Sequence, residues 1–211
     1  MDSTVAAAER TALADALVEL GPDHDTLCEG WTNDDLVAHL VVREHQPLAS
    51  AGLAIKPLAG MHERAITKAK ARHSFAHRVE VFRTGPPMLW KPVDKLFNSQ
   101  EYFIHHEDVR RGDGTTGPRS IEEIAEIEQE LWRMTGKSAR LAVRGLKGIG
   151  VDLVTPDGDT IHARSGDDTL SIVGRPGEIV LYLAGRRGAA QVELEGSDHA
   201  IAVAGDAHLG I

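Results

Sequence analysis

The pattern of apolar residues changes character near residue 140, and this limits the chain to an architecture of two parts. Ahead of that point apolar residues recur every three to five positions among acids and alanines. Behind it, short β-branched runs alternate with glycine and aspartate. The first pattern belongs to helices with one buried stripe, the second to short strands closed by turns. An α+β chain is expected, with a helical domain over 1–140 and a small α/β domain over 141–211. At 211 residues and 42% apolar content it can bury a core unaided, and the single cysteine, Cys28, cannot form an internal disulfide.

Five helices are expected in the first part. Ala8, Leu13, Leu17 and Leu20 mark the first, over 5–20, stopped by Gly21-Pro22. Thr32 followed by Asp35 starts the second, through Leu36, Leu40 and Val42 towards Pro47. The third spans 60–83 and ends at Gly85-Pro86-Pro87. The fourth runs from Lys95 to about Arg111, with Gly112 as a left-handed cap. Ser120 and Glu123 form a capping box for the fifth, carried by Ile121, Ile124, Ile127, Leu131 and Met134. In the second part, Thr155-Pro156-Asp157-Gly158 turns strand 150–154 back into 160–163. Further strands are expected at 169–173 and 192–194, and a short helix at 176–184. The tail from Ser197 fits strand or helix equally, and Gly148-Ile149-Gly150 reads as a hinge.

The charge sum, 23 basic against 32 acidic residues for a net −9, disfavours nucleic acid and anionic membranes as partners. The longest apolar run, Ile179–Ala184, is too short to span a bilayer. The amino terminus lacks a basic flank followed by an apolar block, so it does not read as a signal peptide, and a cytoplasmic location is expected.

Of the eleven histidines, those on the second and fourth helices stand out. Glu101 and His105 are four apart, about 40° around a helix axis, so both reach one point. Asp108, Phe97 and Ile104 share their face, which places the carboxylate on the stripe to be buried. An ionised carboxylate there needs a strong partner, and a divalent metal is one. His39, between Leu36 and Val42 on its wheel, supplies an inward imidazole from another helix. Two histidines and one carboxylate leave open coordination positions, the pattern of catalytic zinc or non-haem iron. A Glu–His hydrogen bond packed on a core histidine is the equal alternative. His106 and Glu107 fall about 100° and 200° from His105 and are read as outward or flanking.

Gly30-Trp31-Thr32-Asn33-Asp34-Asp35-Leu36-Val37-Ala38-His39-Leu40, with Cys28 just ahead, resembles the GWT-x-x-D-L-x-A-H-L signature of the mycothiol-dependent maleylpyruvate isomerase family, within the DinB-like metal-binding bundles. Glu101 to Asp108 is similar to that family's second signature, E-x-x-x-H-x-x-D, and FIHHEDVRR is closer to an uncharacterised actinobacterial branch. The resemblance implies a four-helix bundle, with an extra helix here, holding a divalent metal, zinc first among them, on His39, Glu101 and His105. Gly177–Arg186 looks like the small sterol-carrier-protein-like domain that follows the bundle in these proteins.

The resemblance also implies mycothiol as a partner, its thiol bound as thiolate at the metal and added to a small electrophile by an isomerase or S-transferase. A non-catalytic metal-binding bundle and a hydrolase that activates water at zinc remain as alternatives. Asp108 would orient a ligand imidazole or, as an alternative, cap the helix. Arg110 and Arg111 are read as last-turn cations that favour the helix dipole. Cys28 is read as a small buried hydrophobe and Trp31 as a packing residue. Arg186, with Arg187, is the candidate contact for an acidic substrate or the thiol. Substrate and oligomeric state are not legible in the sequence.

Overall fold

A computed structural model describes residues 4–46, 59–86 and 98–210. The chain forms two compact units, Met1–Gly117 and Pro118–Ile211. The described residues hold eight α-helices and one four-stranded sheet, an α+β fold. None of these helices is long and apolar enough to cross a membrane.

In the first unit the described elements are all helical: α1 (Thr4–Leu20), α2 (Asn33–His45), α3 (Ala59–Arg72), α4 (Phe75–Thr84) and α5 (Asn98–Arg110). α1 packs on α4 and α5, and α2 on α3 and α4. Leu13, Leu17, Leu36, Leu40, Val79, Phe82, Tyr102 and Val109 form the main core. Each such side chain contributes about 1.5–3 kcal/mol by leaving water. A smaller cluster of Ala38, Val42, Ala65, Ile66 and Ala69 closes α2 onto α3, and small residues there let the two helices approach.

The helix expected over 60–83 is two helices. Ser74 caps α4, its hydroxyl accepting from His77 N, a hydrogen bond that competes with helix continuation. Arg78 then donates to the carbonyls of Lys70 and His73 at the end of α3 and pairs with Asp34, which makes the break stable. Gly112 was expected as a left-handed cap, but its φ is not positive. It is a point of close approach: a Cβ there would lie 1.8 Å from the Asp25 carbonyl oxygen. The expected ends at Pro47 and Pro87, the start at Lys95, and Phe97 of the proposed stripe lie outside the described residues.

The second unit begins with α6 (Ile121–Ala142), capped by Ser120 and Glu123 as the sequence indicates. The sequence reading grouped this helix with the first part, whereas the compact units divide at 117/118. α6 packs on β2 and on α7, and Ala139 joins the core of the second unit. The strands are β1 (Gly150–Val154), β2 (Thr160–Arg164), β3 (Thr169–Val173) and β4 (Glu193–Glu195), with α7 (Pro176–Leu183) before β4 and α8 (Asp198–Asp206) after it. The sheet order is β2-β1-β3-β4, with β1 and β3 parallel and both outer pairs antiparallel. The ambiguous tail is helical because Ser197 caps α8, accepting from Ala200 N. Gly150 is no hinge. It opens β1, its N–H bonds the Asp168 carbonyl, and a Cβ would meet Thr169 Oγ1 at 2.6 Å.

Candidate metal centre

α2 brings His39 inward among Leu36, Leu40 and Val42, leaving it 6% exposed, and α5 brings Glu101 and His105 to meet it one helical turn apart. One ligand atom from each of the three lies within 4.8 Å of the others. His105 Nε2 is 3.3 Å from Glu101 Oε2, and its Nδ1 is 2.9 Å from Asp108 Oδ2. Asp108 therefore holds the proton on Nδ1 and turns Nε2 towards Glu101, the nitrogen that would bind a metal once its own proton is lost. The His39 and His105 rings meet edge to face, centroids 5.3 Å apart, with Trp31 5.2 Å from His39 on another side. The Glu101 side chain keeps 26% of its exposure, against 9% for His105, so the site opens to solvent on the Glu101 side.

Burial and the nearby His105 hold the His39 imidazole well below its ordinary value, so it is neutral at pH 7, the form that binds metal. Burial alone would also push His105 down, but hydrogen bonds with Asp108, Cys28 and Glu101 raise it well above the ordinary value. Burial works to raise Glu101, yet His105 and Arg43 outweigh it and hold the carboxyl down to about 2. The centre is thus built to stabilise positive charge between two carboxylates. A proton on His105 answers that demand in the metal-free protein, and a divalent cation answers it as well. With one nitrogen of each imidazole already held by a neighbour and a carboxylate facing them, the donor set fits a divalent metal of the zinc type.

Three participants were not legible as such in the sequence. Arg43, one turn beyond His39 on α2, places Nε 3.7 Å from Glu101 Oε2. His62 of α3 places Nε2 2.8 Å from His39 Nδ1. Cys28, read as a buried hydrophobe, donates Sγ–H to Asp108 Oδ2 at 3.2 Å, and with His105 and Asp108 it forms a second group of potential ligand atoms. The loop carrying it is held by Leu27 N donating to the Asp108 carbonyl and by the close approach at Gly112.

Other expectations are corrected. His106 and Glu107 are not outward: they are 5% and 0% exposed. His106 Nδ1 lies 2.9 Å from Glu9 Oε1 of α1, and Glu107 accepts from Arg110 and Arg111. Arg111 is thus a buried ion-pair partner, not merely a last-turn cation. Arg187 is spent on the carbonyls of Ala204, Gly205 and Ala207 at the end of α8. Arg186 Nη1 donates to the Ala184 carbonyl at 2.7 Å within the second unit.

Among solved structures, a mycothiol-dependent maleylpyruvate isomerase matches with a TM-score of 0.59 at 19% identity, over 91% of this chain and 90% of that one. A histidine-to-alanine mutant of a mycothiol-dependent maleylpyruvate isomerase matches at 0.60 and 18% identity over the same shares. This chain has the fold of that isomerase. No family model and no curated protein matches the sequence. The shared fold agrees with the resemblance carried by the two motifs, and those motifs supply His39, Glu101 and His105.

Proposed function

We propose that the protein is a metal-dependent enzyme that uses mycothiol, an isomerase or S-transferase acting on a small electrophilic substrate. The observation that carries this reading is the convergence of His39, Glu101 and His105 within 4.8 Å in a fold of the mycothiol-dependent isomerase type. A divalent metal held there would supply Lewis acidity and stabilise a thiolate near neutral pH. The chain's own groups prepare the place for it. Asp108 keeps His105 in the tautomer with Nε2 available, and Arg43 fixes the Glu101 carboxylate. Trp31 gives His39 an apolar wall, and the exposed edge of Glu101 is the side from which thiol and substrate enter.

The test is cobalt substitution of the full chain followed by titration with mycothiol. A sulfur-to-metal absorption band is expected on addition. Replacing His39, Glu101 or His105 with Ala should strip most of the metal, whereas His106→Ala should leave it. Metal binding without a thiol band would turn the reading towards a hydrolase or a non-catalytic bundle. Loss of metal in His106→Ala but not in His105→Ala would overturn the ligand assignment.

A further inference from the structure

We propose that His62 is a positioning residue for the metal centre: its Nε2, 2.8 Å from His39 Nδ1, accepts that ring's proton and fixes His39 in the tautomer whose Nε2 binds metal. The inference rests on the metal-centre reading above and adds a residue that neither motif contains.

His62 is 5% exposed on α3, so it is a built part of the interior and not a passing surface contact. Its ring stands edge to face with His39, centroids 4.9 Å apart at 79°, while Trp31 and His105 flank His39 at 5.2 and 5.3 Å. His39 is therefore confined by three rings, and among the described residues its side-chain hydrogen bond runs from Nδ1 to His62 on α3. For a neutral imidazole, the nitrogen without a proton is the one that binds metal, and the partner of the other nitrogen decides which that is. With His62 only 2.8 Å from Nδ1, Nε2 is the nitrogen left for metal; a neutral ring that binds through Nε2 carries its proton on Nδ1, so in this reading His62 Nε2 is the acceptor.

The two ligand imidazoles are then supported differently. His105 is backed by the carboxylate of Asp108, and His39 by the imidazole of His62. A carboxylate raises the basicity of the imidazole it supports, and a neutral acceptor does so less. His39 is thus the weaker, more exchangeable donor of the pair. A second anion in place of His62 would add charge to a centre that already holds Glu101 and Asp108.

The experiment measures zinc affinity of the full chain by chelator competition, for wild type, His39→Ala, His62→Ala and His62→Gln, with thermal midpoints of the metal-free proteins alongside. His62→Ala should weaken zinc binding about 10- to 100-fold. His62→Gln, whose amide oxygen accepts a hydrogen bond, should recover most of that loss, a rescue that lost packing alone would not show. Long-range nitrogen–proton NMR correlation on the metal-free wild type should find His39 as the single Nδ1–H tautomer. An Nε2–H tautomer there overturns the inference without any variant. Wild-type zinc affinity in His62→Ala, with affinity lost in His39→Ala, overturns it while the metal centre stands. Unchanged affinity in His39→Ala overturns the metal centre itself.

Discussion

Asp108 is fully buried, and one of its oxygens accepts from both His105 Nδ1 and Cys28 Sγ. Replacing it with Asn keeps an acceptor of the same size but removes the charge that draws the His105 proton to Nδ1. We expect Asp108→Asn to lower zinc affinity about 10-fold or more, measured by chelator competition. Cys28→Ser, which keeps a donor to Asp108, should change affinity little. An Asp108→Asn protein that binds zinc as wild type would mean that His105 needs no charged support. His39, Glu101, His105 and Asp108 were legible in the sequence because helical spacing fixes which side chains share a face. His62 was not, since its meeting with His39 depends on how α3 packs on α2, and its own helix has a weak apolar pattern. His106 and Glu107 were misread for a related reason. Placing residues on a wheel presumes one solvent face, and α5 has none from Tyr102 to Val109.

Between elements, Asp35 has two tasks. Its Oδ2 accepts from the N–H and hydroxyl of Thr32 at the start of α2, and its Oδ1 meets Lys70 Nζ of α3 at 2.5 Å. Burial works to raise its carboxyl, but the Lys70 and Thr32 hydrogen bonds outweigh it and hold the group below its ordinary 3.8. A carboxyl depressed on folding contributes stability above its unfolded value and loses it as pH falls through the folded value. Lys70 is raised above its ordinary 10.5, chiefly by Asp35, so its share persists until the solution is more alkaline than that. The side chains are 33% and 27% exposed, so the pair contributes only about 1 kcal/mol. Urea unfolding of wild type and Asp35→Asn should differ by about that much at pH 7, and the difference should shrink below pH 3.8. A difference that grows on acidification would refute the linkage. The start of α2 was legible because a capping box is local. The split between α3 and α4 was not, because its stability comes from Arg78 reaching back to carbonyls of the preceding helix.

At the scale of the whole chain, every proposed ligand lies within residues 1–117, while 118–211 carries a core of its own. The strands of that second unit were legible because turn residues and alternation are short-range signals. The placement of α6 was not, since its apolar stripe of Ile124, Ile127, Leu131 and Met134 suits a bundle or a sheet face equally. A cation bound only by the native state stabilises it by mass action, about 2.7 kcal/mol when free zinc is a hundred times its dissociation constant. Heating the full chain in a calorimeter should show a transition raised by several degrees with zinc. Yet 32 acidic residues and eleven histidines offer many weak places for zinc on the surface, so an upward shift alone is poor evidence for a centre. His39→Ala is the decisive arm, because it deletes one buried imidazole and leaves the surface charge untouched. Its zinc-induced shift should fall close to zero. Equal shifts in the variant and the wild type would assign the stabilisation to the surface and remove the ground for a buried metal.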